Sequence, residues 1–231
     1  AARRCGHRLA EARLLGRLGY AYAKLRRYDD AIAETNAELA IVTEEGDRQG
    51  TASAYSQLGR AARGKGDLAG ALGYYEQARD LQAELGNRRG VALSRRRIGQ
   101  VLTKLGHFED AIGELTAAAD TMAALGDRTQ HARTLMFLGA AFASSTQPQR
   151  AAAPLDEALT LMRELGSAYY QGEIQAVLGD VAERSGDLVA ALAHFRQARE
   201  HYLAAGDAQA DQLLDRIDRL SGAQDQPPSG A

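Results

Sequence analysis

The stretch GRAARGKGD, residues 59–67, places Gly59, Gly64 and Lys65 at the spacing G-x-x-x-x-G-K. A phosphate-binding loop uses that spacing because backbone N–H groups cradle the phosphates while the lysine ammonium reaches the terminal ones. Such a loop ends in serine or threonine, whose hydroxyl ligates magnesium, and it follows a buried strand. Here Gly66 follows Lys65, and residues 53–63 show helical spacing. No nucleotide chemistry is expected at this stretch.

Other reactive side chains are equally scattered. His7, His107, His131, His194 and His201 form no i, i+4 pair, and Cys5 is the only cysteine. That excludes an internal disulfide and argues against a metal site, which needs convergent ligands. No serine stands in a nucleophile-elbow or triad context. The expectation is a protein without catalytic residues, metal or cofactor.

The composition suits helix on helix. Aromatics make up 6% of the chain, tryptophan is absent, and alanine and leucine supply most of the 45% apolar fraction. Sheets favour β-branched and aromatic residues instead. A net charge of −2 supplies no global field for nucleic acid or an anionic membrane. No apolar run approaches the ~20 residues of a membrane span, and a cytoplasmic location is expected. Lysine occurs only at Lys24, Lys65 and Lys104, and arginine supplies the rest of the 28 cationic side chains. That bias reads as bacterial, GC-rich coding.

What organises the chain is a gapless repeat of forty residues. Glycine recurs at Gly19, Gly59, Gly99, Gly139 and Gly179, each preceded by leucine or isoleucine. Alanine follows twelve residues later, at Ala31, Ala71, Ala111, Ala151 and Ala191. A second glycine closes each unit, at Gly46, Gly86, Gly126, Gly166 and Gly206. Each unit reads as two amphipathic helices. In the second unit these run from about residue 51 to 65 and then along a stripe of Leu68, Ala71, Leu72, Tyr75, Ala78, Leu81 and Leu85. Gly66-Asp67, Gly106-His107 and Gly186-Asp187 form the turn between helices, glycine stopping one and the next residue capping the other. Glycine inside a helix costs ~1 kcal/mol relative to alanine, so its recurrence at Gly19 and its equivalents implies close approach of a neighbouring helix.

The Leu-Gly pair, the alanine twelve on, the aromatic or leucine sixteen on (Tyr75, Leu115, Leu155, Phe195) and the alanine nineteen on (Ala78, Ala118, Ala158, Ala198) resemble the tetratricopeptide repeat over residues 10–210. The forty-residue period exceeds the usual ~34. It resembles the subclass found in LGN/Pins-type scaffolds and in sensor arrays of bacterial regulators. The resemblance implies an all-α, right-handed α-solenoid of about five helix-turn-helix units, near 10–50, 51–90, 91–130, 131–170 and 171–210. A C-terminal capping helix is expected at 208–221, with Leu213, Leu214, Ile217 and Leu220 on one face, completing a single array over 1–221. Residues 222–231 then form a disordered tail.

Two departures stand out. Thr35 and Glu38 occupy columns that are apolar in the other units, which predicts looser packing of the first unit's second helix. Residues 144–150, SSTQPQR, replace the glycine turn in the fourth unit and predict altered local geometry.

The resemblance also implies a concave groove lined by the first helices, at positions six and three before and one and four after the Leu-Gly glycine. These include Arg13 and Tyr20 in the first unit, Ser56, Arg60 and Arg63 in the second, and Arg96 and Gln100 in the third. Arg133 and Met136 follow in the fourth, and Glu173, Asp180 and Glu183 in the fifth. Arginine forks hold carboxylates bidentately, so an acidic peptide of a partner protein is the expected ligand. The reading is a non-enzymatic interaction module without direct nucleic-acid or membrane contact, and open to homo-oligomerisation at its ends. The alternative is the C-terminal sensor array of a larger bacterial transcription regulator, favoured by a start that is not methionine. An aspartyl-phosphate phosphatase ranks low, because it needs a catalytic acid–amide pair on an N-terminal bundle that the sequence does not offer.

Overall fold

In a computed structural model the described residues are 2–224, and the expected tail from residue 225 onward lies outside them. All regular structure among the described residues is helical. The order is α1 (Ala2–Lys24), α2 (Tyr28–Glu44), α3 (Arg48–Lys65), α4 (Leu68–Glu84), α5 (Arg88–Leu105) and α6 (Phe108–Ala124), then α7 (Arg128–Ser144), α8 (Ala152–Glu164), α9 (Ala168–Arg184), α10 (Leu188–Ala204) and α11 (Gln209–Gln224). The forty-residue columns therefore lie on successive helical hairpins. Residues 222–224, expected in the tail, continue the last helix.

The turns follow the chemistry of the residues. All eight turn and closing glycines have φ between 66° and 96°, the left-handed conformation that ends a helix cheaply only for glycine. Asp67 then caps α4, its Oδ1 accepting from the Gly70 N–H at 2.8 Å, and Asp47, Asn87, Asp127 and Asp187 do the same elsewhere. The first hairpin lacks the glycine, and Arg26 adopts φ 60° in its place. In the fourth, Ser145 is extended, a single 3-10 turn spans Pro148–Arg150, and α8 is 13 residues long against 17 for α2, α4 and α10. The altered geometry expected from SSTQPQR is thus a shortened second helix.

Within each hairpin one contact recurs. The Leu-Gly glycine receives the side chain sixteen residues on: Thr35 over Gly19, Tyr75 over Gly59, Leu115 over Gly99, Leu155 over Gly139 and Phe195 over Gly179. A methyl group on Gly59 would stand 2.6 Å from Tyr75 Cε1. In the last four hairpins the glycine cost inside the first helix is offset by burying a large side chain against bare backbone.

The chain divides into two compact halves, Ala1–Thr121 and Met122–Ala231. In the first, consecutive helices α1 to α5 pack on one another and α1 also touches α3. In the second, α7 to α11 pack in sequence order and α7 touches α9. There α11 lays Leu213, Ile217 and Leu220 on Phe195, Ala198 and Tyr202 of α10, while Leu214 points outward at 40% exposure.

Thr35 and Glu38 are not loosely packed: they are 1% and 7% exposed, beside buried Ile41 and Val42. The Thr35 hydroxyl donates to the Ala31 carbonyl at 2.7 Å, which satisfies it locally. Three hairpins also carry an ion pair between the first helix and the end of the second, 36 residues apart: Arg8–Glu44 at 2.6 Å, Arg48–Glu84 and Arg128–Glu164.

Candidate functional site

The phosphate-loop residues have structural partners. Lys65, at the end of α3, places Nζ 2.5 Å from Asp29 Oδ1 on the surface. Gly66 is the left-handed stop of that helix, and Gly64 lies against the ring of Tyr28. No freed N–H cradle exists here. Nor do any three His, Cys, Asp or Glu side chains converge to hold a metal among the described residues. No described helix is long and apolar enough to cross a membrane. His194 accounts for itself: its Nδ1 lies 2.8 Å from Gln175 Oε1, and partial burial lowers its pKa.

In the first half, the expected first-helix residues fall into two groups. Arg13 and Tyr20 of α1 and Arg60 of α3 line one cavity of about 430 Å³, together with Gly16, Arg17, Glu38 and Gln57. Tyr20 is 44% exposed, and its ring carries the Arg60 guanidinium at 5.2 Å and the Lys24 ammonium at 5.7 Å. Among the described residues no carboxylate pairs with Arg13, Arg17 or Arg60. The second group is tied together: Arg63 Nη1 donates to Gln100 Oε1 at 3.1 Å, between α3 and α5. Ser56 is half-buried and Arg96 is buried at 5% exposure. On this face Arg13 and Arg17 are exposed, while Arg60 and Arg63 are half-buried.

In the second half, Arg133 of α7 sits 5.0 Å from the Tyr170 ring centroid of α9, and Met136 is buried at 4%. Asp180 and Glu183 of α9 are both taken by Arg216 of α11, the first at 2.6 Å. Glu173 accepts from the Tyr169 hydroxyl at 3.1 Å, and burial raises its pKa. The carboxylates expected to face a ligand are thus largely engaged within the fold.

Sequence reasoning missed the floor of the first cavity. Glu38 Oε2 accepts from Gln57 Nε2 at 3.0 Å, and the Glu38 carboxylate lies directly over Gly16. Burial pushes its pKa up to about 7, the Gln57 hydrogen bond pulling weakly the other way. The available signal was the column itself: alanine stands at the equivalent position in every other unit, at Ala78, Ala118, Ala158 and Ala198.

Paired helices with a Leu-Gly contact, glycine stops and Asx caps define an α-solenoid of tetratricopeptide-type hairpins. Residues 10–84 match the family model described as Tetratricopeptide repeat. A thermophilic TPR protein of Thermus thermophilus is 22% identical with a TM-score of 0.66, over 90% of this chain and 98% of that one. A Rap protein complexed with Competence and Sporulation Factor is 14% identical with a TM-score of 0.69, over 93% and 65%. A signal transduction ATPase of Pyrococcus horikoshii, with a tetratricopeptide repeat sensor, is 15% identical with a TM-score of 0.68, over 91% and 36%. The chain thus spans less than two thirds of the Rap protein and about a third of the ATPase. At these identities the likeness is one of fold. No curated protein sequence matches the chain.

Proposed function

We propose that the chain is a non-catalytic interaction module in which the α1–α3 face of the first half receives an acidic peptide segment of a partner protein. One observation carries this reading: Arg13, Arg17 and Arg60 surround a cavity and, among the described residues, have no carboxylate of their own. Several other arginines of the chain are matched to acids, as in Arg8–Glu44, Arg48–Glu84 and Arg216–Asp180. Guanidiniums without a carboxylate beside a recess favour one supplied from outside. The likeness in fold to the Rap protein, which is described as complexed with Competence and Sporulation Factor, supports a partner-holding role.

The test is fluorescence anisotropy with labelled oligoglutamate and oligolysine peptides. The wild-type chain binds the acidic peptide in preference, and the R60E/R63E double variant loses that binding by more than about tenfold. Unchanged affinity in a variant whose helical circular dichroism is intact rejects the reading.

A second reading is favoured by the likeness to the ATPase with a tetratricopeptide repeat sensor. In it, the same face belongs to the sensor portion of a larger bacterial regulator. The natural reading frame on the N-terminal side of Ala1 decides: an NTPase or DNA-binding domain there supports it, and a start codon removes it. Self-association would use α1 and the residue that follows it, where Leu14, Leu18 and Leu25 are 65%, 40% and 69% exposed. Light scattering of an L14Q/L18Q variant against wild type tests this.

A further inference from the structure

Only in the first hairpin does a carboxylate replace the alanine that packs nineteen residues after the Leu-Gly glycine. The structure supplies the companion changes: Gly16 opposite Glu38, and Gln57 reaching across from α3. Together they turn what is core elsewhere into a recess of about 430 Å³ with an acid at its base. Glu38 is 7% exposed and its one hydrogen bond is from a neutral amide. No cation of the chain pairs with it among the described residues, although Arg13, Arg17 and Arg60 stand around the opening. A buried carboxylate without a counter-charge is costly. A surface that keeps three arginines and a buried acid apart in one cavity is complementary to a ligand of mixed charge, with its cation deep and its anions at the rim.

We propose that this recess is an anchor pocket for a lysine side chain of the acidic peptide, whose ammonium bonds to the Glu38 carboxylate while flanking acids bond to Arg13, Arg17 and Arg60. The inference rests on the acidic-peptide reading and names the residue that such a peptide carries. The exposed Tyr20 ring lies along the recess and covers the lysine methylenes, which prefer an apolar surface. The oxygen of Glu38 not bonded to Gln57 is the free acceptor. The groups facing Glu38 across the cavity are Arg13, Arg17 and Tyr20 from α1 and Arg60 from α3. The arginines keep their charge at every pH of interest, so a pH dependence of lysine recognition reports Glu38. An entering ammonium stabilises the ionised form and releases a proton, so the lysine preference strengthens as pH rises from 6 to 8 through the Glu38 value of about 7.

The experiment compares three labelled heptapeptides on the full chain: EEEKEEE and EEEQEEE, both blocked at their ends, and EEEQEEE with a free amino terminus. Blocked EEEKEEE is expected to bind about tenfold tighter than blocked EEEQEEE at pH 8. E38Q is expected to bind EEEKEEE and EEEQEEE alike, losing the lysine preference together with its pH dependence. R60E/R63E loses both peptides. Equal affinity of wild type for the two blocked peptides overturns the lysine pocket while leaving the acidic-peptide reading in place. Binding of neither overturns both. Should the free-terminus EEEQEEE match blocked EEEKEEE, the pocket reads an amino terminus, and the lysine assignment fails. A lysine preference that survives E38Q with unchanged pH dependence also sinks it, and the helical circular dichroism of E38Q excludes misfolding as the cause.

Discussion

Nη1 of Arg216 on α11 lies 2.6 Å from Asp180 Oδ1 on α9, and the same guanidinium binds Glu183 and stacks 4.2 Å from the Phe195 ring. The last helix therefore does more than cover apolar surface with Leu213, Ile217 and Leu220. It neutralises two acids and covers an aromatic face with one side chain. Replacing Arg216 by alanine is expected to cost about 1 kcal/mol, since these groups are roughly one-third exposed and water screens much of the attraction. Denaturant midpoints measure the cost. Hydrogen exchange should accelerate selectively in residues 209–224, and an unchanged exchange pattern would remove the assigned role.

Gly59 separates the two meanings of the stretch at residues 59–67. In a phosphate loop it would be exchangeable only at the expense of ligand binding, whereas here the Tyr75 ring occupies the space a side chain would need. Gly59→Val is expected to destabilise by roughly 2–3 kcal/mol through overpacking. Lys65→Ala should leave the denaturant midpoint almost unchanged, because its pair with Asp29 is on the surface, where water screens it. Isothermal titration with Mg-ATP should show no binding by either variant or by wild type.

The hairpins were legible because they rest on residues with few alternatives: a helix stop at positive φ, an Asx cap, a bare backbone under a large side chain. Each of these requirements leaves a particular residue type at a fixed spacing, and five copies make the spacing visible. The cavity was not legible for the opposite reason. Arg13, Tyr20 and Arg60 were placed on one face by the repeat, but Gln57 and Glu38 sit at positions where the repeat expects no ligand contact. Arg96 shares the column of Ser56 and is nevertheless buried, because one column can hold different side chains whose lengths decide what they reach. Asp180 was visible as a charge, but its partner Arg216 is 36 residues away in a helix outside the repeat.

The Arg48–Glu84 pair is a rung between the start of α3 and the end of α4, both partners more than half exposed. Such pairs add little individually in salt. Arg48→Ala is expected to lower stability by about 0.5 kcal/mol at low ionic strength and by almost nothing in about 1 M salt. Melting temperatures at the two salt concentrations provide the check, and a salt-independent loss would mean that the arginine stem, not its charge, matters.

Glu38 gives stability an unusual pH dependence. Its folded pKa of about 7 stands above the ordinary value of 4.5, with burial as the main cause and Gln57 opposing it. A raised pKa means that the folded state holds a proton the unfolded chain has released between those two values. The contribution is therefore fully present below pH 4.5 and is lost as pH rises through about 7. One pKa unit corresponds to about 1.36 kcal/mol, so the loss approaches roughly 3 kcal/mol by pH 8. Glu38→Gln removes the titration while keeping the shape and an amide able to pair with Gln57. The variant should match wild type near pH 4 and exceed its melting temperature increasingly from pH 5 to 8. All other groups are common to the two proteins, so the difference between them is the quantity to read. Parallel melting curves across that range would show that Glu38 meets water in the folded state and is not the buried floor of the cavity.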